Sequence, residues 1–277
     1  MCIRDSNITA VVTVADDGGS SGILRSDLGM LAPGDVRNCV SALAEVDPVM
    51  GELLNFRFKD GSLKGHSLGN LFLAALNETS SSFDEAVKKF SHLTGVVGTV
   101  YPVTNESVTL SALLEDGRLI EGESHIGVHH DGPKNGIVKL MVNPEKPKAV
   151  DGVIKALEKA DIIVLGPGSL YTSIIPNLLV DGVVDAIKKS NAVKIYVCNI
   201  MSQAGETENY TVSDHLAAIE RHSYEGIADI VIANNAIIPE SLRIKYASEH
   251  AREVMIDSIN VLKRAKLVQG NLLLVRN

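Results

Sequence analysis

Apolar residues follow two different periods along this chain, and the switches between them mark out its parts. Residues 8–15 (ITAVVTVA) form a near-continuous β-rich run, the pattern of a strand buried on both faces. Four segments with helical spacing follow. Val36, Cys39, Val40, Leu43 and Ala44 form the first stripe, and a less regular segment covers 48–58. Leu68, Leu71, Phe72 and Ala75 form the third; Phe83, Ala86, Val87 and Phe90 form the fourth. Ser82 with Glu85 three residues on predicts a capping box there. The period then drops to two. Segments 97–103, 108–113, 118–122 and 137–142 read as strands, with Asp116-Gly117 as a hairpin turn and 125–136 as a loop. From 149 onward helix and strand alternate. A helix carrying Val150, Val153, Ile154 and Leu157 leads to a strand at 162–165. A helix with Val180, Val183, Val184 and Ile187 leads to a strand at 193–197, and a helix from Ser213 to a strand at 230–233. This alternation predicts an α/β protein with a Rossmann-like, doubly wound, mostly parallel sheet. The β-rich stretch at about 97–142 is expected to be an insert, because no linker flanks it.

Composition narrows the classes. A chain of 277 residues fits one or two domains and can bury a core without disulfide or metal staples. Aromatics are 4% and Trp is absent, so Val, Ile, Leu and Ala must build the core, as suits a helix-covered parallel sheet. A net charge of -8 argues against a broad nucleic-acid surface. Cys2, Cys39 and Cys198 are odd in number and lack CxxC spacing, which argues against a disulfide framework or a zinc site. No apolar run approaches the ~18 residues of a membrane span. Residues 1–6 lack the apolar core of a signal peptide, so a cytoplasmic location is expected.

Four polar loops stand where a strand ends or a helix begins, and open α/β sheets bind ligands at the carboxyl ends of their strands. The first is Asp16-Asp17-Gly18-Gly19-Ser20-Ser21-Gly22. Two carboxylates there suit a divalent cation or ribose hydroxyls, and glycines let N–H groups approach a ligand; a solvated turn is the plain alternative. The second, 166–173 (GPGSLYTS), is a glycine turn opening a helix, where N–H groups and the helix dipole favour an anion. No Lys follows its last glycine, so it is not a Walker A loop, and without the third glycine of GxGxxG it implies no NAD. In the third, 65–70 (GHSLGN), His66 and Asn70 share a helical face opposite the apolar stripe, so both are expected to meet ligand or solvent. The fourth, 198–207, carries amides and hydroxyls suited to a sugar or a base edge. In 34–38, Asp35 reads as an N-cap and Arg37 as a planar fork for a phosphate. His129, His130 and Asp131 make a poor metal set, because adjacent histidines rarely converge on one ion.

Together VADDGGSSG, PGDVRN, GHSLGNLFLAAL, LGPGSLYTSIIPNLLV and CNIMSQAGET resemble the YvcK branch of the CofD/YvcK family over almost the whole chain. The resemblance implies a Rossmann-like sheet with a ligand cleft at its carboxyl edge. It also implies a cytoplasmic regulatory protein that binds a UDP-sugar, notably UDP-N-acetylglucosamine. Such proteins are linked to growth on gluconeogenic carbon sources and to cell shape and wall synthesis. On this reading Gly166, Gly168, Ser169 and Leu170 hold the diphosphate. Asp16, Asp17, Gly18, Gly19 and Ser20 meet ribose or sugar hydroxyls or a Mg²⁺ ion, the metal falling to Asp17. Asn199, Gln203 and Thr207 flank the nucleoside, and Arg37, Asn38, His66 and Asn70 complete the set. No catalytic residue is assigned. The rival is the CofD branch, 2-phospho-L-lactate transferases that pass a phospholactyl group to a deazaflavin precursor with Mg²⁺. Ser202 stands where the family has Thr. The family's opening strand and GGGTG loop have no counterpart before residue 8, and relatives continue beyond Val275-Arg276-Asn277. A single domain over 1–277 lacking its first strand and glycine loop is therefore expected, with exposed edges that favour aggregation. A homo-oligomer stays open.

Overall fold

The computed structural model describes residues 7–128 and 136–273. Cys2 and the trio His129, His130 and Asp131 lie outside them. The described chain forms two compact units: one runs to Thr109 and adds Asn143–Ala156, the other comprises Leu110–Val142 and the chain from Leu157.

The first unit opens with β1 (Thr9–Val12), which pairs in parallel with β2 (Thr99–Pro102). Five helices lie between them: α1 (Gly19–Leu28), α2 (Gly34–Leu43), α3 (Pro48–Asn55), α4 (Leu68–Glu78) and α5 (Phe83–Leu93). The four periodic stripes fall on α2 to α5. Side chains fix several starts: Asp47 caps α3 ahead of a proline at its first turn, and Ser67 and Ser82 cap α4 and α5. The capping box at α5 is half formed. Ser82 accepts from Glu85, but the Glu85 carboxylate turns to the N–H and hydroxyl of Ser81. The core is aliphatic around Val14, Val36, Val40, Leu73 and Val87, with Phe90 fully buried and edge-on to Phe72. β1 is shorter than the expected strand, though Val14 and Ala15 continue it into the interior. α1 was not expected at all. Its buried residues are Ser20, Ser21 and Leu24, so a hydrophobic pattern has nothing to register.

In the second unit, β3 (Thr109–Leu114) pairs antiparallel with β4 (Leu119–Glu121) through the Asp116-Gly117 turn. A short α6 (Glu123–Ile126) and β5 (Ile137–Asn143) complete a sheet of order β4-β3-β5. The β-rich stretch thus exists, but its first strand, β2, belongs to the parallel pair with β1. α7 (Asp151–Lys159) belongs to the first unit as far as Ala156, and after it come β6 (Ile162–Leu165), one turn of π-helix at Leu170–Ile174, α8 (Ile175–Leu178), α9 (Val183–Lys189) and β7 (Val193–Val197). Then follow α10 (Val212–Arg221), β8 (Ile230–Asn234), α11 (Glu240–Ser248), α12 (Ser258–Val261) and β9 (Lys266–Gly270). Strands β6, β7, β8 and β9 form a wholly parallel sheet in that order. This is the Rossmann-like α/β architecture that the strand–helix alternation predicts. Sequence periodicity missed α11, which buries no residue, and β9, whose KLVQG is mostly exposed. None of the described helices is long and apolar enough to cross a membrane.

Candidate functional site

In the first unit β1 leads to Asp16 and Asp17, and α1 starts two residues later. Asp16 Oδ1 accepts the Gly18 N–H at 2.9 Å. Gly19 then turns with φ +45. A Cβ on Gly22 would sit 2.1 Å from the Asp17 carbonyl oxygen, so the helix can start this close only with glycine there. Ser20, on the first turn, is the centre of a buried polar net. Its hydroxyl lies 3.0 Å from His66 Nδ1 and accepts from Asn70 Nδ2 at 3.1 Å. Asn70 Oδ1 in turn accepts from Arg37 Nε at 3.4 Å, and Arg37 Nη1 donates to Asn55 Oδ1 at 2.7 Å.

This net corrects two expectations. His66 and Asn70 do not face solvent: they are 7% and 3% exposed. Helix α1, invisible to periodicity, supplies the polar partner that lets them bury opposite the apolar stripe. His66 also precedes the cap Ser67 and is not on α4. Arg37 is buried too, and its fork is partly engaged by the two asparagine carbonyls. Asp35 is not an N-cap. It lies in the first turn of α2, after Pro33 and Gly34. Burial and the Asp16 charge push its carboxyl above the usual range, against the pull of Arg37. Asn38 is exposed.

In the second unit β6 delivers the glycine turn. Gly166 has φ +83, and a Cβ there would meet the Val197 carbonyl oxygen at 3.0 Å. At Gly168 a Cβ would press on Ser173 Cβ at 3.3 Å. The N–H groups of Gly168, Ser169 and Leu170 have no acceptor among the described residues. The Leu170 side chain is fully buried, so only its amide can serve a ligand. The next amide, Tyr171 N–H, is already taken by Glu206 Oε2 at 3.2 Å. A carboxylate thus occupies the place where an anion was expected. Burial pushes Glu206 up to about 7, while bonds from the Tyr171 amide and the Thr172 hydroxyl pull it down.

The loop after β7 joins the same turn. Gln203 Nε2 donates to Ser169 Oγ at 2.7 Å. Thr207, fully buried, accepts the Gln203 N–H at 2.9 Å and so shapes the loop. Gln203 Oε1 and Asn199 Oδ1 are buried acceptors without a partner among the described residues. Sequence reading assigned no role to Glu206 or Tyr171. The Tyr171 hydroxyl donates to the Ile137 carbonyl and lies 2.8 Å from the Tyr210 hydroxyl. The signal for Glu206, a carboxylate inside CNIMSQAGET, was present, but its burial was not legible. Among the described residues no group of three or more His, Cys, Asp or Glu is placed to hold a metal.

The family model described as "2-phospho-L-lactate transferase CofD" matches residues 3–273. The chain is 47% identical over 273 residues to a protein of Clostridium acetobutylicum, which covers 98% of this chain and of which it spans 60%. The "Gluconeogenesis factor" of Halalkalibacterium halodurans is 46% identical over 254 residues, 91% of this chain and 77% of the relative. The crystal structure of a UPF0052 family member from Bacillus halodurans superposes with a TM-score of 0.94 at 43% identity. It covers 98% of this chain and 87% of its own.

Proposed function

The chain belongs to the CofD family, and from that premise we propose that it is a regulatory protein that binds a nucleotide sugar of the UDP-N-acetylglucosamine kind. The observation that carries this reading is the pairing of donors and acceptors in the second unit. Three successive unengaged amides, Gly168 to Leu170, suit a diphosphate. Beside them, Gln203 Oε1 and Asn199 Oδ1 are acceptors that burial penalises unless a ligand donor meets them, as a sugar hydroxyl or a base N–H does. Gln203 ties the two sets together through Ser169. The relatives' name supports a place in the control of gluconeogenesis; links to cell shape and wall synthesis, and a cytoplasmic location, belong to the same reading. A Mg²⁺ ion with Asp17 as its carboxylate ligand belongs to the same reading; among the described residues no group of three or more His, Cys, Asp or Glu could hold it, so it would keep most of its coordinating waters. The description of the family model favours a second reading, a transferase of the 2-phospho-L-lactate type.

Calorimetric titration with UDP-N-acetylglucosamine, UDP-glucose and GDP, with and without Mg²⁺, tests the proposal. Binding of the UDP-sugars above GDP is expected, with Gln203→Ala weakening it about tenfold, the cost of one buried hydrogen bond. Preference for GDP, or unchanged affinity in Gln203→Ala, would overturn the assignment and favour the transferase.

A further inference from the structure

Helix α3 (Pro48–Asn55) is apolar on two sides and packed on one. Its inner side belongs to the first unit. Leu54 is 2% exposed, a Cβ on Gly69 of α4 would sit 2.6 Å from the Leu54 carbonyl oxygen, and Asn55 Oδ1 accepts from Arg37. On the other side Val49 and Leu53 lie one turn apart, and Phe56 follows at the next turn. These three are 63%, 45% and 47% exposed, and Met50 beside them is exposed too. Phe56 is held in place, its ring edge-on to Phe58 at 5.2 Å. Glu52 is the one ionisable residue on α3. A helix apolar on all sides is ordinarily buried on all sides. Scattered exposed apolar residues are common, but a continuous stripe along one face marks a contact surface.

Charge changes sign along this stripe. Residues 45–52 hold three carboxylates, Glu45, Asp47 and Glu52, and no cation. Residues 57–64 hold three cations, Arg57, Lys59 and Lys64, against the single carboxylate of Asp60. Glu52, Lys59 and Lys64 make no ion pair among the described residues. The turn that carries the cations is closed directly after α3. Phe58 N–H donates to the His66 carbonyl at 3.0 Å, and Gly65 N–H to the Phe58 carbonyl at 2.9 Å. The basic residues are thereby kept at the carboxyl end of the stripe.

We propose that this face is the interface of a two-fold symmetric dimer of this chain, with α3 packed antiparallel against α3 of a second copy. A surface that is apolar along its middle, acidic at one end and basic at the other is complementary to itself when turned end for end, and a two-fold axis makes that turn. Leu53 then lies near the axis, with Val49 and Phe56 on either side of it. The carboxylates of each copy face the cations of the other. Exposed pairs of this kind fix orientation more than they add strength. A second copy is the occupant because one chain carries both halves of the complementarity.

Sedimentation velocity over a concentration series of the 277-residue chain tests this. A dimer with a Kd on the order of 10 µM is expected, as suits a small interface. Leu53→Glu should give a monomer with an unchanged melting temperature, because the side chain already faces solvent. Val49→Asp, at a more exposed position, should do the same. Two charge-reversed variants test the orientation. Lys59→Glu with Lys64→Glu, and Glu45→Lys with Glu52→Lys, should each self-associate several-fold more weakly than the wild type. Mixed at low salt, the two should pair with each other. A monomer at every concentration overturns the proposal. So does a dimer or larger assembly that survives both Leu53→Glu and Val49→Asp, as association through the edge strand β6 with its exposed Ile162 and Val164 would. Charge-reversed variants that do not pair when mixed overturn the antiparallel arrangement.

Discussion

At the residue scale, the informative positions are polar side chains whose surroundings decide their chemistry. Glu206 shows this most directly. An ordinary glutamate of pKa 4.5 is raised to about 7 by burial next to the glycine turn. Its folded state therefore holds a proton that the unfolded state has lost between those pH values, so this group's contribution to stability falls as pH rises from about 4.5 to 7 and is flat above. The Glu206→Gln variant keeps an acceptor for Tyr171 N–H and removes the buried charge. Its stability relative to wild type should rise across that window, by about 3 kcal/mol at most. Urea melts at pH 5 and pH 8 measure it; an equal difference at both would show that Glu206 titrates normally. Ser20, His66, Asn70 and Arg37 make the same point in the first unit. Each is polar, and each is buried because the others are.

At the scale of elements, helix contacts are set by where a side chain is missing. Gly69 sits in the first turn of α4, and a Cβ there would meet the Leu54 carbonyl oxygen at 2.6 Å and Arg37 Cδ at 2.9 Å. Gly51, inside α3, has only ordinary contact at 3.8 Å. Propensity alone favours alanine at both. Gly69→Ala is nevertheless expected to destabilise by about 1–3 kcal/mol through overpacking. Gly51→Ala should stabilise by about 0.5–1 kcal/mol. Denaturant midpoints compare the pair, and stabilisation by both would mean that α4 does not pack as closely as described. The elements found by period, α2 to α5 and β6 to β8, present one apolar face or lie in the parallel sheet. Those missed either bury serines, as α1 does, or bury nothing, as α11 does.

At the scale of the whole molecule, charge and architecture set the partners. A chain at -8 has no general attraction for a polyanion, and the amides proposed to meet an anion lie in one short segment, 168–170. Duplex DNA should not be retained at ~0.1 M salt, where exposed charges are screened beyond about 10 Å. Retention in a gel-shift assay would reveal a basic surface that the composition hides. The chain spans 60% of the Clostridium relative, so the activity of the longer proteins is tested by the titrations above, on this segment alone.

The amino-acid sequence by itself determined the parallel α/β class, because buried strands and one-sided helices write their periods directly into the order of apolar residues. It also located the polar segments at 16–22, 166–173 and 198–207, because glycine and polar clusters punctuate that order. Only the tertiary structure decided which polar groups are buried and satisfied. Hydrogen-bond partners such as Ser20 and His66, or Tyr171 and Glu206, lie 46 and 35 residues apart, and no local pattern links them. It alone decided that burial pushes the Glu206 carboxyl up to about 7 and that β2 leaves the β-rich stretch to pair with β1. Periodicity reports the surface each element hides; which neighbour it hides against depends on contacts made across the chain.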